Sequence, residues 1–163
     1  MNVADENGIY KLSNGNIVNI WMKDTYTDGL GFSFTIQYFS VFFPLANSII
    51  LIYDVTDKES FKACEGFRHE IFQLCRNNGF NNVLLLGNKV DKIDKREISF
   101  EEGKKFAEES GFTFMEISCA FNKNIMKAVE IAVALGEKCG TVNQTNNENQ
   151  KNKKKKKPNC LNQ

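Results

Sequence analysis

The sequence lacks the cysteine pattern of a disulfide-built protein. Its five cysteines are an odd number and form no C-x-x-C pair: Cys64, Cys75, Cys119, Cys139 and Cys160. A reduced, intracellular chain is therefore predicted. A secretory leader is not predicted either, because Met1–Tyr10 contains Asp5 and Glu6 and has no apolar block.

A surplus of one charge is also missing. The chain carries 21 Lys and Arg residues against 20 Asp and Glu residues. Five of the lysines are consecutive, Lys153–Lys157, and without them the body of the chain is mildly acidic. That charge does not favour a nucleic-acid-binding surface across the domain.

Charged residues are absent from one long stretch, Gly29 to Tyr53. Its length would allow it to span a bilayer, but Gln37, Pro44 and Asn47 interrupt it. A short helix followed by a buried strand is the better interpretation.

The rest of the chain alternates apolar strands with amphipathic helices. Ile9–Trp21 is a predicted hairpin that turns at Asn14-Gly15. Three later apolar runs have the length of strands: Ser48–Tyr53, Val83–Leu86 and Phe112–Ile117.

Helices are predicted between and after these runs. Two capping-box spacings and an asparagine mark their starts: Thr56 with Glu59, Ser99 with Glu102, and Asn122 or Asn124. Residues at helical spacing predict the buried faces: Phe61, Cys64, Phe67, Ile71 and Leu74 in the first helix, and Ile125, Val129, Ala132 and Val133 in the last. The alternation predicts a three-layer α/β domain over residues 1–140, with a mostly parallel sheet and helices on both faces. A disordered polybasic tail, residues 141–163, is expected to follow.

The stretch Val83–Asp91 carries the clearest functional signal. Its apolar run is typical of a strand buried on both faces, and it breaks into the loop Asn88-Lys89-Val90-Asp91. Ligands of open α/β sheets bind at the carboxyl ends of strands, where this loop lies. The carboxylate of Asp91 can accept both the ring N1–H and the exocyclic amine of guanine. Asn88 can fix the loop, and the methylene stem of Lys89 can lie over the base.

Three blocks of the sequence resemble the Ras-like small GTPases, and the Rab family most closely. Tyr53–Phe61, Y-D-V-T-D-K-E-S-F, is similar to the segment that follows the fourth strand of Rab proteins. Leu86–Asp91 resembles the guanine loop of the family, and Glu116–Ala120 stands where the family has E-T-S-A-K. The order and spacing of the blocks agree with the family.

The resemblance implies a guanine site for GTP or GDP formed by six residues: Asn88, Lys89, Asp91, Ser118, Cys119 and Ala120. In the last loop the family uses the serine and the backbone N–H groups that follow it. Ala120 replaces a lysine of the family, which removes a stem that packs near the base. Asp54 is interpreted as structural, and His69 as an exposed helix residue rather than a catalytic base.

The groups that would hold phosphates and Mg²⁺ are not found in the sequence. It has no G-x-x-x-x-G-K-[ST] loop, and Met22 follows Trp21 where the family has the aspartate of W-D-T-A-G-Q-E. A thioether does not suit a hard cation. The resemblance therefore implies a small-GTPase-like fold without its first strand, P-loop and first helix, with no catalytic residue and no Mg²⁺ site. The inner edge of Ser48–Tyr53 is expected to stay unpaired unless the hairpin pairs with it.

Without phosphate contacts, nucleotide binding is expected to be weak. Recognition of the base alone is worth about 3 kcal/mol, which corresponds to millimolar-class affinity. The family hydrolyses GTP, but this chain is predicted to lack competent GTPase activity because the same missing groups stabilise the transition state.

Three functional hypotheses remain open. The first is a Rab-like GTP-binding protein of vesicle trafficking, with effectors as partners, on the cytosolic face of endomembranes, whose N-terminal part is missing through truncation or incomplete gene prediction. The second is a pseudo-GTPase that acts as a lipid-anchored protein-binding module through its aromatic segment, Phe32–Phe43, and its late helices. The third is a non-functional truncated product.

The C-terminus carries a possible lipidation site at Cys160, the fourth residue from the end. C-a-a-X with a terminal glutamine is compatible with farnesylation, and a basic patch such as Lys153–Lys157 supplies a second membrane signal. Asn162 is atypical within such a motif. The alternatives are a solvated lysine run with an idle thiol, or a nuclear-type basic patch.

Overall fold

The computed structural model of the chain describes residues 5–23, 46–75 and 82–139. The aromatic segment Phe32–Phe43, most of the uncharged stretch before residue 46, and the tail from residue 141 lie outside these ranges.

The N-terminal hairpin is confirmed. Strand β1, Asp5–Lys11, pairs antiparallel with β2, Ile17–Lys23. Gly15 has φ of 87° in the turn, a left-handed conformation that glycine adopts without strain. The turn lies against the last helix, where Leu12 is buried and the Ser13 N–H donates to Glu130 Oε1 at 2.7 Å.

Three parallel strands form a second, separate sheet. They are β3, Ile49–Asp54, β4, Val83–Asn88, and β5, Thr113–Glu116, in the order β3-β4-β5. Since all three are parallel, their carboxyl ends meet at one edge, and Asp54 lies beside Asn88 in the register. The apolar run before the guanine loop is therefore the central strand of this sheet, as the sequence predicts.

Helices cover both faces of the parallel sheet, so the three-layer α/β prediction is confirmed. Helices α1, Lys58–Cys75, and α2, Phe100–Ser110, lie on one face, and α3, Ile125–Cys139, lies on the other. The first face forms a core with Leu51, Tyr53, Val83, Leu85, Cys64, Ile71, Phe106 and Phe112 among its buried members. The second core is smaller and comprises Leu84, Leu86, Ile117, Ala128, Ala132 and Leu135.

The start of α2 follows the predicted capping box. The Glu102 N–H donates to Ser99 Oγ at 3.1 Å, and the Ser99 N–H donates to Glu102 Oε2 at 2.8 Å. Gly111 ends the helix in a left-handed conformation with φ of 68°.

The capping box predicted at the start of α1 is wrong. The Glu59 N–H donates to Asp57 Oδ1 at 2.9 Å, while the Thr56 hydroxyl donates to Asp54 Oδ1 at 2.7 Å. Thr56 is thus engaged by the strand end, and the carboxylate one residue later takes the capping role.

The buried face of α1 is confirmed. Cys64 and Ile71 are buried, and Phe61 and Phe67 pack partly buried against the same core. The side chain of Leu74 lies outside the description.

The buried face of α3 is rotated relative to the prediction. Ile125 and Ala132 contact the core as expected, but Ala128 and Leu135 are buried where Val129 and Val133 were predicted. The small alanines, four residues apart, face the sheet and let the helix approach it closely.

Among the described residues, no strand pairs with the edge of β3 that faces away from β4. The hairpin forms its own sheet and does not pair with β3. Ile50 is 36% exposed and Ile52 is 57% exposed, although their neighbours Leu84 and Leu86 on β4 are buried beneath α3.

The hydroxyl of Tyr53 is buried and has no hydrogen-bond partner within the described residues. Burial raises the pKa of this hydroxyl, so it stays neutral. It also occupies the space beside two glycines: an added Cβ at Gly87 would lie 2.9 Å from the hydroxyl oxygen, and one at Gly103 would lie still closer. These two glycines therefore leave room for one aromatic ring.

Replacing Gly103 by alanine should destabilise the chain, although the same change in a free helix is favourable. The helix would gain about 1 kcal/mol, but overpacking against Tyr53 costs about 1–3 kcal/mol. Tyr53→Phe alone should be neutral or stabilising, because it removes an unsatisfied buried hydroxyl. Urea unfolding of the two single variants and the double variant measures this. Equal costs of Gly103→Ala with and without the Tyr53→Phe change would contradict the clash, although contact with the Phe114 ring makes the rescue partial.

Candidate functional site

The six residues of the predicted guanine site lie together at the carboxyl edge of the parallel sheet. Asn88 ends β4, and Ser118 follows shortly after β5, which is the neighbouring strand. The two loops are joined by backbone bonds: the Ile117 N–H donates to Gly87 O at 2.8 Å, and the Val90 N–H donates to Ile117 O at 3.4 Å. Neighbouring parallel strands thus bring both loops to one place.

Asn88 fixes both loops at once. Its Oδ1 accepts the Lys89 N–H at 2.7 Å and the Cys119 N–H at 3.2 Å. Lys89 has φ of 66°, a left-handed conformation that is costly for a residue with a side chain, and the hydrogen bond from its own N–H holds it there. The loop-fixing role predicted for Asn88 agrees with these contacts.

Asp91 is oriented by Ser118. The Ser118 hydroxyl donates to Asp91 Oδ1 at 2.5 Å, and Ser118 itself is fully buried. Within the described residues the second oxygen of Asp91, Oδ2, has no hydrogen bond. This carboxylate therefore presents a fixed edge with an available acceptor.

The loop after Ser118 is closed on itself. The Ser118 N–H donates to Lys123 O at 3.2 Å, and the Lys123 N–H donates to Ser118 O at 2.9 Å. Asn122 and Asn124 have φ of 51° and 63°, which asparagine tolerates better than most residues. Cys119 and Ala120 lie exposed on this rigid loop, and the Ala120 N–H has no acceptor in the described part of the chain.

Asp54 contacts the site, which the interpretation of this residue as structural did not foresee. Lys89 Nζ lies 2.6 Å from Asp54 Oδ2. Burial raises the pKa of the Asp54 carboxyl, but hydrogen bonds from Lys89 and Thr56 outweigh it and bring the pKa below its ordinary value. The hydrogen bond to Asp54 raises the pKa of Lys89, so the two groups form an ion pair at neutral pH. The sequence gives no direct signal for this contact, because it depends on β3 and β4 lying side by side in parallel register.

A second ion pair, between Arg96 and Glu116, joins the segments that flank the two site loops. Arg96 donates to both carboxylate oxygens of Glu116, at 2.7 and 3.0 Å, and to Ile98 O at 3.0 Å. The backbone oxygen of Glu116 accepts from Asn124 Nδ2 at 2.9 Å. These contacts join the segment after the guanine loop to β5 and to the start of α3. No sequence pattern indicates them, because 20 residues separate Arg96 from Glu116.

Two described cysteines differ sharply in accessibility. Cys64 is buried, and burial raises the pKa of its thiol to about 12. Cys119 is exposed on the site loop. His69 is exposed on α1, with its Nε2 3.0 Å from Gln73 Nε2, and lies far along the chain from the site loops. Cys119 is therefore a natural reporter for the site.

Metal-binding side chains do not cluster in the part of the chain that the structure describes. Residues 5–23, 46–75 and 82–139 contain no group of three or more His, Cys, Asp or Glu side chains arranged to hold a metal ion. Met22, which the resemblance alone places at the family's aspartate position, is an exposed thioether on β2. Over the same residues, no helix has both the length and the apolar character needed to cross a bilayer.

Comparison with known proteins adds sequence similarity to this geometry. The model of the Ras family matches residues 33–137. Ras-related protein RIC1 of Oryza sativa subsp. japonica is 40% identical over 89 residues, which are 55% of this chain and 43% of that protein. Ras-related protein RABD2a of Arabidopsis thaliana is 36% identical over 109 residues, 66% and 53% of the two chains. Ras-related protein Rab-3A of Homo sapiens is 39% identical over 85 residues, 52% and 38% of the two chains.

The chain spans about half the length of the relatives it matches. The family match covers more than half of this chain and includes both site loops and the strands that carry them. Together with the fold, this match shows that the chain belongs to the Ras family, and the names of two of these relatives are of the Rab type.

Proposed function

We propose that this chain is a Rab-type guanine-nucleotide-binding protein of membrane trafficking that recognises the base but does not grip the phosphates. The observation that supports it most is the convergence of the two site loops, with the Asp91 carboxylate fixed by the buried Ser118 hydroxyl. A carboxylate held in one orientation can accept two adjacent donors, and guanine offers such a pair in N1–H and the exocyclic amine.

The remaining contacts follow from the groups left available. The exposed Ala120 N–H can donate to the guanine carbonyl oxygen, and the Asn88 Nδ2 group can meet the base edge. Adenine carries an amine where guanine has its carbonyl, and it has no N1–H. With adenine in this site, the Ala120 N–H would face the adenine amine, which is also a donor, and the Asp91 carboxylate would find no N1–H to accept. Both mismatches disfavour adenine.

The phosphates and Mg²⁺ have no counterpart groups in this sequence. In the family the glycine-rich loop, its lysine and the metal hold the triphosphate, and the same groups stabilise the transition state. With the base alone recognised, a Kd in the millimolar range is expected. GTP hydrolysis by this chain is not part of the proposal.

Titration of the isotope-labelled full chain with GMP, AMP and GTP plus Mg²⁺ tests both halves of the proposal. GMP should shift the NMR signals of Asn88 to Asp91 and of Ser118 to Ala120 with a millimolar Kd, and AMP should bind at least about tenfold more weakly. GTP with Mg²⁺ should bind no more than about threefold more tightly than GMP, because nothing grips its phosphates.

Alkylation provides an independent readout of the same binding. Bound GMP should slow the reaction of Cys119 with iodoacetamide, while the buried Cys64 serves as the internal unreactive reference. No protection and no shift would refute guanine binding. Micromolar binding of GTP with Mg²⁺ would instead refute the loss of phosphate grip.

A second candidate function is a nucleotide-independent binding module, and one surface favours it. Ile9, Ile17 and Trp21 share one face of the hairpin, since they alternate with the other face along β1 and β2. They are 77%, 70% and 70% exposed. Apolar side chains exposed together mark interaction surfaces, and a partner protein in trafficking could cover this one.

The membrane part of the proposal depends on the tail, residues 141–163, beyond a domain that we place at residues 1–140. A farnesyl group on Cys160 together with Lys153–Lys157 would supply the two signals that stable anchoring needs. Peripheral association with the cytosolic face of endomembranes follows as the proposed localisation. Mass spectrometry of the chain isolated from its host, with and without Cys160→Ser, would show whether a prenyl group is present.

A further inference from the structure

The lysine of the guanine loop is held at both of its ends. At the backbone end, Asn88 Oδ1 accepts the Lys89 N–H at 2.7 Å and fixes the left-handed conformation. At the other end, the Lys89 ammonium lies 2.6 Å from Asp54 Oδ2. The side chain is therefore stretched from the end of β4 to the end of β3.

The carboxylate that holds the ammonium is itself fixed. Asp54 Oδ1 accepts the Thr56 N–H at 2.9 Å and the Thr56 hydroxyl at 2.7 Å. The Asp54 N–H donates to Ser60 Oγ at 3.0 Å, and the Val55 N–H donates to Asn88 O at 3.0 Å. The end of β3, the start of α1 and the guanine loop are thus joined around this one carboxylate.

This pair differs from an ordinary surface pair. The side chain of Asp54 is only 20% exposed, and that of Lys89 is 50% exposed. The Lys62–Glu59 pair on α1 joins side chains that are 64% and 79% exposed, and it connects neighbouring turns of one helix. Lys89–Asp54 instead connects two strand ends at the edge where ligands bind.

We propose that Asp54 is a positioning residue of the guanine site: it holds the Lys89 ammonium so that the methylene stem is laid out before a base arrives. The proposal rests on the guanine binding proposed above. A lysine side chain loses rotamer freedom when it is ordered against a ligand. A stem already ordered by Asp54 avoids that loss at the moment of binding, so the base binds more tightly.

Because the stem packs on the face of a base and does not meet its edge, Asp54 should act equally on related bases. Guanine and hypoxanthine differ by the exocyclic amine, which Asp91 reads. Removing the Asp54 charge should therefore weaken GMP and IMP by the same factor. The ratio of their two affinities should stay as in the native chain.

The variants that test this are Asp54→Asn, Lys89→Met and the double variant. Asparagine keeps an oxygen that can accept from Thr56, and methionine keeps an unbranched apolar stem without the charge. In the native background, Asp54→Asn should raise the Kd for GMP and for IMP about three- to tenfold, in NMR titrations of the full chain. In the Lys89→Met background, the same change should have no effect on either Kd.

One further measurement needs no ligand. In the nucleotide-free chain, Asp54→Asn should shift the ¹³Cε resonance of Lys89, while the control Lys62→Met should not.

The outcomes separate the two proposals. If the native chain does not bind GMP, the proposed function fails and this inference fails with it. If GMP binds and Asp54→Asn leaves the Kd unchanged or lowers it, only the role of Asp54 is overturned. It is also overturned if Asp54→Asn weakens binding equally in the Lys89→Met background, because Asp54 would then act without Lys89.

Discussion

Replacing Asp91 by asparagine should abolish the preference of the chain for guanine. The carboxylate is expected to accept two donors from the base, and charge-assisted hydrogen bonds are worth about 1.5–3 kcal/mol each. Loss of about 3 kcal/mol raises the Kd of GMP by about two orders of magnitude, beyond the range in which a titration reaches saturation. NMR titration of the full-length variant measures the loss.

The same substitution should move the preference towards xanthine. Xanthine carries a carbonyl where guanine has its exocyclic amine, so an asparagine amide can donate to that carbonyl while its oxygen accepts the N1–H. XMP should therefore bind the Asp91→Asn variant more tightly than GMP does. Asp94→Asn is the matched control, because Asp94 is an exposed carboxylate in the same loop region, and it should leave both affinities unchanged. Retention of GMP binding by Asp91→Asn would place the base elsewhere on the chain.

Replacing Arg96 by methionine should destabilise the chain strongly, although it leaves the apolar cores intact. Arg96 makes a two-point contact with Glu116, and the side chains are only 25% and 16% exposed. Removing one partner of a buried pair costs about 3–5 kcal/mol, and the partial exposure here brings the expected loss to about 2–4 kcal/mol. Urea unfolding at neutral pH gives the free energy of unfolding directly.

A surface pair provides the comparison that isolates burial from charge. Lys62→Met removes the exposed partner of Glu59, so it should leave the free energy of unfolding nearly unchanged. Adding Glu116→Gln to Arg96→Met should recover part of the loss, because the orphaned carboxylate is then replaced by a neutral amide. Equal effects of Arg96→Met and Lys62→Met would show that the Arg96–Glu116 pair contributes no more to the free energy of unfolding than the exposed Lys62–Glu59 pair does.

The sequence was sufficient for those parts of the fold that local chemistry determines. The apolar run that starts at Val83 predicts a central buried strand, and Ser99 with Glu102 predicts a helix start that the structure confirms. Asn14-Gly15 likewise predicts the hairpin turn. In each of these cases the residues that decide the structure are neighbours in the chain.

Prediction was less successful where the end of a strand competes for a group or where the sheet selects the face of a helix. Thr56 has the right spacing to cap α1, but Asp54 takes its hydroxyl, and Asp57 becomes the cap. The face of α3 is set by contact with Leu84 and Leu86, which the spacing inside the helix does not encode. Contacts with the sheet decided both outcomes.

The candidate site, too, was predictable from the sequence only in part. The sequence places Asn88, Lys89 and Asp91 on one loop, and the family resemblance adds Ser118. That Asp54 reaches Lys89 follows only once β3 and β4 are aligned in parallel register. Strand order and register are tertiary facts, which is why the role of this residue could not be predicted along the chain.

The attachment of the hairpin has a consequence for signalling. Its two strands form a two-stranded sheet of their own, and its turn meets α3 through Leu12 and the Ser13–Glu130 hydrogen bond. Coupling between two sites requires an element that both bias, and α3 is such an element, because it begins directly after the candidate site loop that contains Ser118 and Ala120. We therefore expect any influence of a protein bound at the hairpin on the candidate guanine site to pass through α3.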